Sequence, residues 1–491
     1  MRNLSRRRLL STAAALPVSS GLIALSPGGP AEAQAADNPE DIWSHGANPD
    51  FVLSAAKHEL APFGKPIQAL LTGGTWPGTT VRYRKGDQFR VLVENRLDAP
   101  TSLHWHGLIV PTLEDGVPAV TQSPIPPGDA FFYSFPLKQA GTYWYHSHFG
   151  LQEQQGLSGP LIIEDPDEPH AYDEDLVVYL SDVADIPVNR VIPEIRDGSL
   201  QVNVADPYRL SDGGPFPIDV SYAGYLVNGR PPFDPWTHAL RPGARARLRL
   251  INGSGSSYFR IAIDGVALEV IEADGSRVVP VTVDDLVLST AQRCDVIVAL
   301  PESGSYALRA AALGDDKGAL AVLHTPDVQP KVADRRATYS GRTLRDSDLR
   351  APWDTVIPDG PRRTFKVVLS GNMRAYLWMM NGNSWPEPYA EFGHDEAKES
   401  FYEVQRGDIV RFDFVNETPM AHPMHLHGHV FRVLDDGRDR PDAPIRDTVT
   451  VWPKGKTSIE FLANNPGHWF FHCHNIWHLA VGMAQAVTYR A

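Results

Sequence analysis

Cysteine is almost absent: Cys294 and Cys473 are the only two in 491 residues. A scaffold stapled by disulfides is therefore excluded. Methionine is scarce as well, with seven residues and no Met-rich run. Basic charge is in deficit, with 45 Lys plus Arg against 59 Asp plus Glu and a formal net charge of −14. Such a chain lacks the basic footprint of a nucleic-acid binder, so no nucleic-acid partner is expected. Glycine (40) and proline (42) together make about 17% of the chain. That is turn-rich, yet below the roughly 25–30% that marks low-complexity disorder. Beyond the N-terminus no run of about 18 apolar residues occurs, so no membrane span is expected in the mature protein. The length suits about three domains of roughly 150 residues each.

Residues 1–35 read as a removable signal peptide. Arg2, Arg6, Arg7 and Arg8 precede an Ala/Leu-rich stretch that Pro17, Ser19, Ser20 and Gly21 interrupt, and Ala31-Glu32-Ala33 and Ala33-Gln34-Ala35 are small-x-small cleavage candidates. Ser5-Arg6-Arg7-Arg8-Leu9-Leu10 looks like a twin-arginine signal rather than an ordinary secretory one. A periplasmic or secreted location follows.

What is abundant is alternation. After residue 50, short β-branched and aromatic runs are broken by Gly, Pro and Asp, an all-β pattern. Three runs align: RKGDQFRVLVEN, RPGARARLRLIN and RGDIVRFDFVN, with Gly86, Gly243 and Gly407 each nine residues before Asn95, Asn252 and Asn416. Nine residues after Asn95 stands His104, nine after Asn416 stands His425, and nine after Asn252 stands Ile261. Gly141 and Gly467 precede His146 and His472 by five, whereas Gly304 precedes Arg309 by five. Three homologous units therefore occur, each long enough for a β-sandwich, and the middle one lacks the histidines. The expected domains are 50–165, 173–325 and 364–491, with an acidic linker over 164–175 and a long surface connection over 326–363. The arginine run Arg245-Ala246-Arg247-Leu248-Arg249 reads as the solvated face of a strand.

Ten of the 18 histidines fall in four clusters: His104 and His106; His146 and His148; His422, His425 and His427; His472, His474 and His478. On a strand, H-x-H puts both imidazoles on one face. Pairs repeated from the first and third units can converge on one site, and neutral imidazole suits copper, zinc, iron or nickel. The third unit adds His422, Cys473, His478 and Met483. Two imidazoles, a thiolate and a thioether make up a blue-copper electron-transfer set. The first unit has Ser147, Gln152 and Leu157 in the slots of Cys473, His478 and Met483 and cannot build that set. The alternatives for Cys473 are a structural thiol or a disulfide with Cys294, itself read as a buried strand thiol.

The motifs His104-Trp105-His106-Gly107, His146-Ser147-His148, HPMHLHGH (422–429) and HCHNIWHLAVGM (472–483) together resemble the four signatures of the multicopper oxidases, the laccase-like family. GTYWYHSHFGLQEQQGLSGPLII is similar to bacterial copper-resistance and laccase-type members. The resemblance implies three cupredoxin-like Greek-key β-sandwich domains and four copper ions. It assigns the type 1 copper to His422, Cys473 and His478 with Met483 axial, and the type 2 copper to His104 and His425. The type 3 pair falls to His106, His146, His148, His427, His472 and His474. It also implies a cluster between the first and third domains, with O2 as acceptor and water as product.

In that reading Cys473 and its covalent neighbours His472 and His474 form the electron wire. Asp115 matches an acidic position that relays protons in relatives; the alternative is a turn aspartate before Gly116. The acid that many relatives carry after the type 1 histidine is Leu479 here, which puts one proton route in doubt. Asp447 either supports a copper ligand or makes a strand-end salt bridge. The expected function is a laccase-type oxidase of phenols or aromatic amines, acting as a monomer. The competing readings are a cuprous oxidase, with Met379-Met380 as a minimal Cu(I) patch, and a non-catalytic scaffold. The complete ligand set argues against the scaffold, a copper store and a nitrite reductase.

Overall fold

A computed structural model describes residues 48–200, 216–332, 339, 341–358, 360–385, 402–434 and 440–490. The signal-peptide reading concerns residues outside this set. Among the described residues the strands form six sheets, two within 51–164, two within 174–324 and two within 362–489. The predicted all-β architecture is thus present, as three successive pairs of sheets.

The three aligned runs become strands Gln88–Asn95, Arg245–Asn252 and Ile409–Asn416, each in the same surroundings. Each lies parallel to the opening strand of its unit (Phe51–Leu60, Glu174–Ala184 and Arg362–Asn372). On its other side each pairs antiparallel with Ala130–Pro136, Arg293–Ala299 or Lys456–Leu462. Gly86, Gly243 and Gly407 enter these strands at φ of +97°, +76° and +93°, the left-handed region that favours glycine. The terminal asparagines are buried and fasten one sheet to the other. Asn95 Nδ2 donates to the carbonyls of Ala99 and Ile125, Asn252 Nδ2 to Ser257 and Leu288, and Asn416 Nδ2 to Met420 and Val451.

The histidine strands lie in the other sheet of each pair. His104–His106 runs antiparallel to Gly141–His146 with His104 opposite His146, and His422–Leu426 runs antiparallel to His468–Cys473 with His425 opposite His472. In the middle unit Ile261 lies opposite Ala310, one residue beyond the Arg309 to which the glycine spacing pointed.

The arginine run corrects the sequence reading. Arg245 is exposed, but Arg247 and Arg249 are only 2% and 1% exposed. Arg247 pairs with Glu168, Glu272 and Asp295, and Arg249 pairs with Asp175 and donates to Thr142 Oγ1. Carboxylates take the place of water over this strand face, as buried guanidinium groups require. Glu168 and Asp175 belong to the 164–175 stretch, which is thereby pinned.

The described part of 326–363 lies along the strand Ser276–Val283, through Val279 N–H to Arg350 O, and along the loop before Ile445, through Ala351 N–H to Asp442 O. Cys294 lies buried in strand Arg293–Ala299, and both cysteines are free, so no disulfide joins them. No helix among the described residues is long and apolar enough to cross a membrane.

Candidate metal centre

Strand His468–Cys473 ends at the cysteine, and the chain then turns into a short helix, Ile476–Ala480, capped by the Asn475 side chain, which accepts from Trp477 N–H. That turn swings His478 back over Cys473, while the pairing of Met424 with Cys473 brings His422 alongside. Cys473 Sγ lies 3.7 Å from His422 Nδ1 and 3.6 Å from His478 Nδ1, and the two nitrogens are 3.0 Å apart. All three side chains have no solvent exposure. Their far nitrogens are held: His422 Nε2 by Thr418 Oγ1 at 2.7 Å, and His478 Nε2 by Asp219 Oδ2 at 3.2 Å. Met483 is buried and tied to the same group, its N–H donating to His478 O and its carbonyl accepting from Cys473 N–H. The Trp378 ring closes the site 4.4 Å from the His478 ring.

The other eight histidines converge in a second buried cluster. The rings of His104 and His427 are centred 3.9 Å apart, and those of His106 and His425 3.8 Å apart. His427 Nε2 faces His472 Nε2 at 3.1 Å, and His146 Nε2 faces His474 Nε2 at 3.3 Å. The His148 ring lies 4.9 Å from His427 and 5.1 Å from His472. Most imidazoles are anchored by one nitrogen. His104 Nδ1 donates to Asp115 O, His425 Nδ1 to Asp447 O and His472 Nδ1 to Cys473 O. His427 Nδ1 donates to Asp115 Oδ2, His106 Nε2 to Asp447 Oδ1, and His146 Nδ1 lies 2.8 Å from Glu153 Oε2.

The opposite nitrogens decide what fits. His104 Nε2, His106 Nδ1, His148 Nε2 and His425 Nε2 are buried and have no hydrogen-bond partner, and the remaining inward nitrogens face only one another. Buried polar atoms left unpaired in such number call for an explanation, and bound metal supplies one. Burial, together with the neighbouring imidazoles, pushes His106, His146, His148, His425, His427 and His474 well below the usual histidine range. Burial likewise takes His472 down to about 3. These rings are neutral, with lone pairs available as ligands. Burial pushes the Cys473 thiol up, so the thiolate needs the charge of a bound cation. The residues fit copper at both places: groups such as His422, Cys473 and His478, or His148, His427 and His472, could each hold an ion.

Three family models, all described as multicopper oxidase, match residues 55–168, 208–326 and 360–491. The multicopper oxidase MmcO of Mycobacterium tuberculosis is 35% identical over 443 residues, 87% of this chain and 84% of that protein. This chain belongs to the multicopper oxidase family. It is a copper-dependent oxidoreductase that couples the oxidation of a donor to the reduction of O2, and its cofactor is four coppers: one type 1, one type 2 and two type 3. Copper resistance protein A of Escherichia coli is 28% identical, covering 89% of this oxidase and 92% of its own length. The crystal structure of the laccase from Botrytis aclada superposes with a TM-score of 0.74 at 28% identity, covering 89% of this chain and 87% of the laccase.

Every histidine of the four predicted clusters lies at one of the two sites. Asp115 is fully buried between His104 and His427, its Oδ2 accepting from His427 Nδ1 and its Oδ1 lying 3.2 Å from His104 Nδ1. Asp447 satisfies both sequence alternatives, contacting His106 and forming an ion pair with Arg293. Sequence reasoning missed Glu153, Asp219 and Arg293. Glu153 is buried, which pushes its carboxyl well above the usual range, beside His146 and His474. Burial also raises Asp219, but His478, Asn475 and Tyr376 outweigh it and hold the carboxyl below its ordinary value.

Proposed function

We propose that this oxidase is of the laccase type, taking electrons from phenols or aromatic amines. The family resemblance supplies the ligand roles, and the two side-chain groups are compatible with them. His422, Cys473 and His478 with Met483 would hold the type 1 copper, His104 and His425 the type 2 copper, and His106, His146, His148, His427, His472 and His474 the type 3 pair. The observation that carries this reading is the sulfur of Cys473 lying 3.6–3.7 Å from two imidazole nitrogens while its chain neighbours His472 and His474 reach into the second cluster.

Bound copper supplies the one-electron redox chemistry and the reduction of O2 to water. The rest belongs to the chain. Cys473 and its adjoining peptides are the shortest covalent link between the two sites. Asp219 stands at the outer nitrogen of His478, where its ionised carboxylate would accept the proton that a phenol releases on oxidation. Asp115 would hold a proton at Oδ1 for the oxygen-reducing site, and Leu479 leaves no acid in the other familiar position. All twelve ligand side chains come from one chain, which supports a monomer. The arginine-led leader of residues 1–35 supports twin-arginine export to the periplasm or beyond.

Oxidation of Cu(I) is the second reading. The relationship to copper resistance protein A and the acidic Asp219 beside His478 favour it. Against it, Met380 points into the core while Met379 lies on the opposite face of strand Leu377–Met380, so the pair forms no single patch. Oxygen uptake by copper-loaded protein, recorded with a methoxyphenol and separately with Cu(I), tests the choice. Rapid uptake with the phenol and no added copper is expected. Uptake with Cu(I) alone transfers the function to copper detoxification. A loaded protein without blue thiolate-to-copper absorption refutes the type 1 assignment.

A further inference from the structure

The middle unit offers no copper ligand, yet one of its side chains reaches the histidine cluster through a single intermediary. Arg293 opens strand Arg293–Ala299 and has no solvent exposure. Its guanidinium spans three units. Nε donates to Thr142 O of the first at 3.0 Å, Nη1 donates to Ala291 O of the middle at 3.2 Å, and Nη1 and Nη2 grip Asp447 Oδ1 and Oδ2 of the third at 2.9 and 2.6 Å. The guanidinium carbon lies over the Tyr143 ring, 5.5 Å from its centre. Behind it Asp274 pairs with both Arg293 and Arg446, so the charges alternate along a buried row, Arg446–Asp274–Arg293–Asp447.

Asp447 passes this hold on to two histidines from different units. Its Oδ1 accepts from His106 Nε2 at 3.2 Å, and its backbone carbonyl accepts from His425 Nδ1 at 2.8 Å. Those are the outward nitrogens; the inward His106 Nδ1 and His425 Nε2 are left unpartnered toward the cluster. The direction matters for His106. Only a proton on Nε2 frees Nδ1 as a lone pair, and it is held there by Asp447 Oδ1 and Thr448 Oγ1, each 3.2 Å away, the Thr448 hydroxyl itself donating to Asp447 Oδ1.

Gly107 is an independent witness to how closely this pair is packed. At φ +88°, a Cβ on Gly107 would fall 2.5 Å from Asp447 Oδ2 and 2.6 Å from Arg293 Nη2. The glycine after the first H-x-H is the space into which the Arg293–Asp447 fork fits.

We infer that Arg293 is a positioning residue for the trinuclear copper site: by gripping Asp447 bidentately, the middle domain sets the orientation and tautomer of His106 and the orientation of His425. This rests on the assignment of those two histidines as copper ligands. It gives the ligand-free domain a role in copper retention that a spacer would not have. A lysine would keep the charge but not the fork, because an ammonium is a point charge and cannot grip both carboxylate oxygens in plane.

The test is copper content and spectroscopy of copper-loaded Arg293→Met, Arg293→Lys and Gly107→Ala, each normalised to the blue type 1 absorption, which also reports a folded third domain. We expect the blue absorption to survive. We expect the type 2 electron-paramagnetic signal and the type 3 near-ultraviolet shoulder to fall, with trinuclear copper held about 10- to 100-fold more weakly against a chelator. Arg293→Lys should lie between the wild type and Arg293→Met. If Arg293→Met does not fold, Arg293→Lys and Gly107→Ala carry the test. Either of them holding four coppers with unchanged type 2 and type 3 signals overturns the inference. His106→Ala separates the two levels: full copper and unchanged signals in that variant would refute the ligand assignment itself, whereas selective loss there beside an intact Arg293 series would refute only the clamp.

Discussion

Asp115 Oδ2 accepts a hydrogen bond from His427 Nδ1 at 3.0 Å, joining a loop of the first unit to the turn that follows strand His422–Leu426 of the third. The backbone carbonyl of the same residue accepts from His104 Nδ1 at 2.8 Å. One aspartate therefore orients an imidazole from each of the two units that enclose the cluster, and its Oδ1, 3.2 Å from His104 Nδ1 and not bonded by His427, is the oxygen that would carry a proton. The two tasks can be separated chemically, because an amide oxygen keeps the first and abolishes the second.

Asp115→Asn is accordingly expected to load four coppers and to bleach its blue absorption at the normal rate when donor is added without O2. Turnover with O2 should fall by about 100-fold or more, the contribution of a positioned acid or base. Stopped-flow bleaching set beside oxygen-electrode turnover reads both quantities. Unchanged turnover would remove Asp115 from the proton route and leave it a purely orienting residue.

Asp219 makes a similar prediction on the donor side. Its carboxylate holds His478 Nε2 at 3.2 Å and is itself held by Tyr376 and Asn475. Asp219→Asn should lower kcat/KM for a phenol by about 100-fold through loss of the proton acceptor. A donor that releases no proton should be oxidised at nearly the original rate. Equal losses for both donor types would mean that Asp219 acts only by orienting His478.

The residues that carry recurring spacing were legible in the sequence, and those that act singly were not. Gly86, Gly243 and Gly407 and their partner asparagines announce the repeat because the same turn and sheet-to-sheet bond is used three times. The H-x-H pairs are readable because period-two geometry puts both rings on one face. Asp219 and Arg293 belong to no motif; Asp219 meets His478, and Arg293 meets His106 through Asp447, only through the folding of segments far away in the chain, whereas Glu153 stands seven residues after His146 but carries no recurring spacing. The alternation of Arg245, Arg247 and Arg249 was visible but ambiguous. A strand face covered by water and one covered by Glu168, Asp175, Glu272 and Asp295 produce the same arginine pattern. The surplus of acids in 164–175 was the available clue.

The repeated asparagine can be tested where copper is not involved. Asn252 Nδ2 donates to Ser257 O and Leu288 O at 2.8 and 2.9 Å, and its Oδ1 accepts from Ser254 Oγ at 2.6 Å. Asn252→Ala would strand these buried groups, at about 1–3 kcal/mol for each one left unpaired. We expect a loss of about 3 kcal/mol in the denaturant stability of the copper-free protein, with the copper spectra of the loaded protein unchanged. A loss below about 0.5 kcal/mol, the scale of ordinary surface substitutions, would mean that the sheet-to-sheet bond is dispensable.

Glu114 lies one residue before Asp115 and makes a pH-dependent prediction. Burial pushes its carboxyl up from 4.5 to about 7, against the opposing bond from Ser134 N–H to Oε2. Between those values the unfolded chain gives up the proton while the folded chain keeps it, so folding loses ground as pH rises and the loss is complete above about 7. Glutamine mimics the protonated acid and can still accept from Ser134 N–H. Glu114→Gln should therefore match the wild type near pH 4.5 and exceed it at pH 8. The gain is about 1–3 kcal/mol, the upper figure being the full linkage and the lower allowing for water that still reaches the side chain. Denaturant melts of copper-loaded protein at the two pH values read the difference. A gain of equal size at both would assign the effect to packing, because only a titrating carboxyl makes the advantage grow with pH.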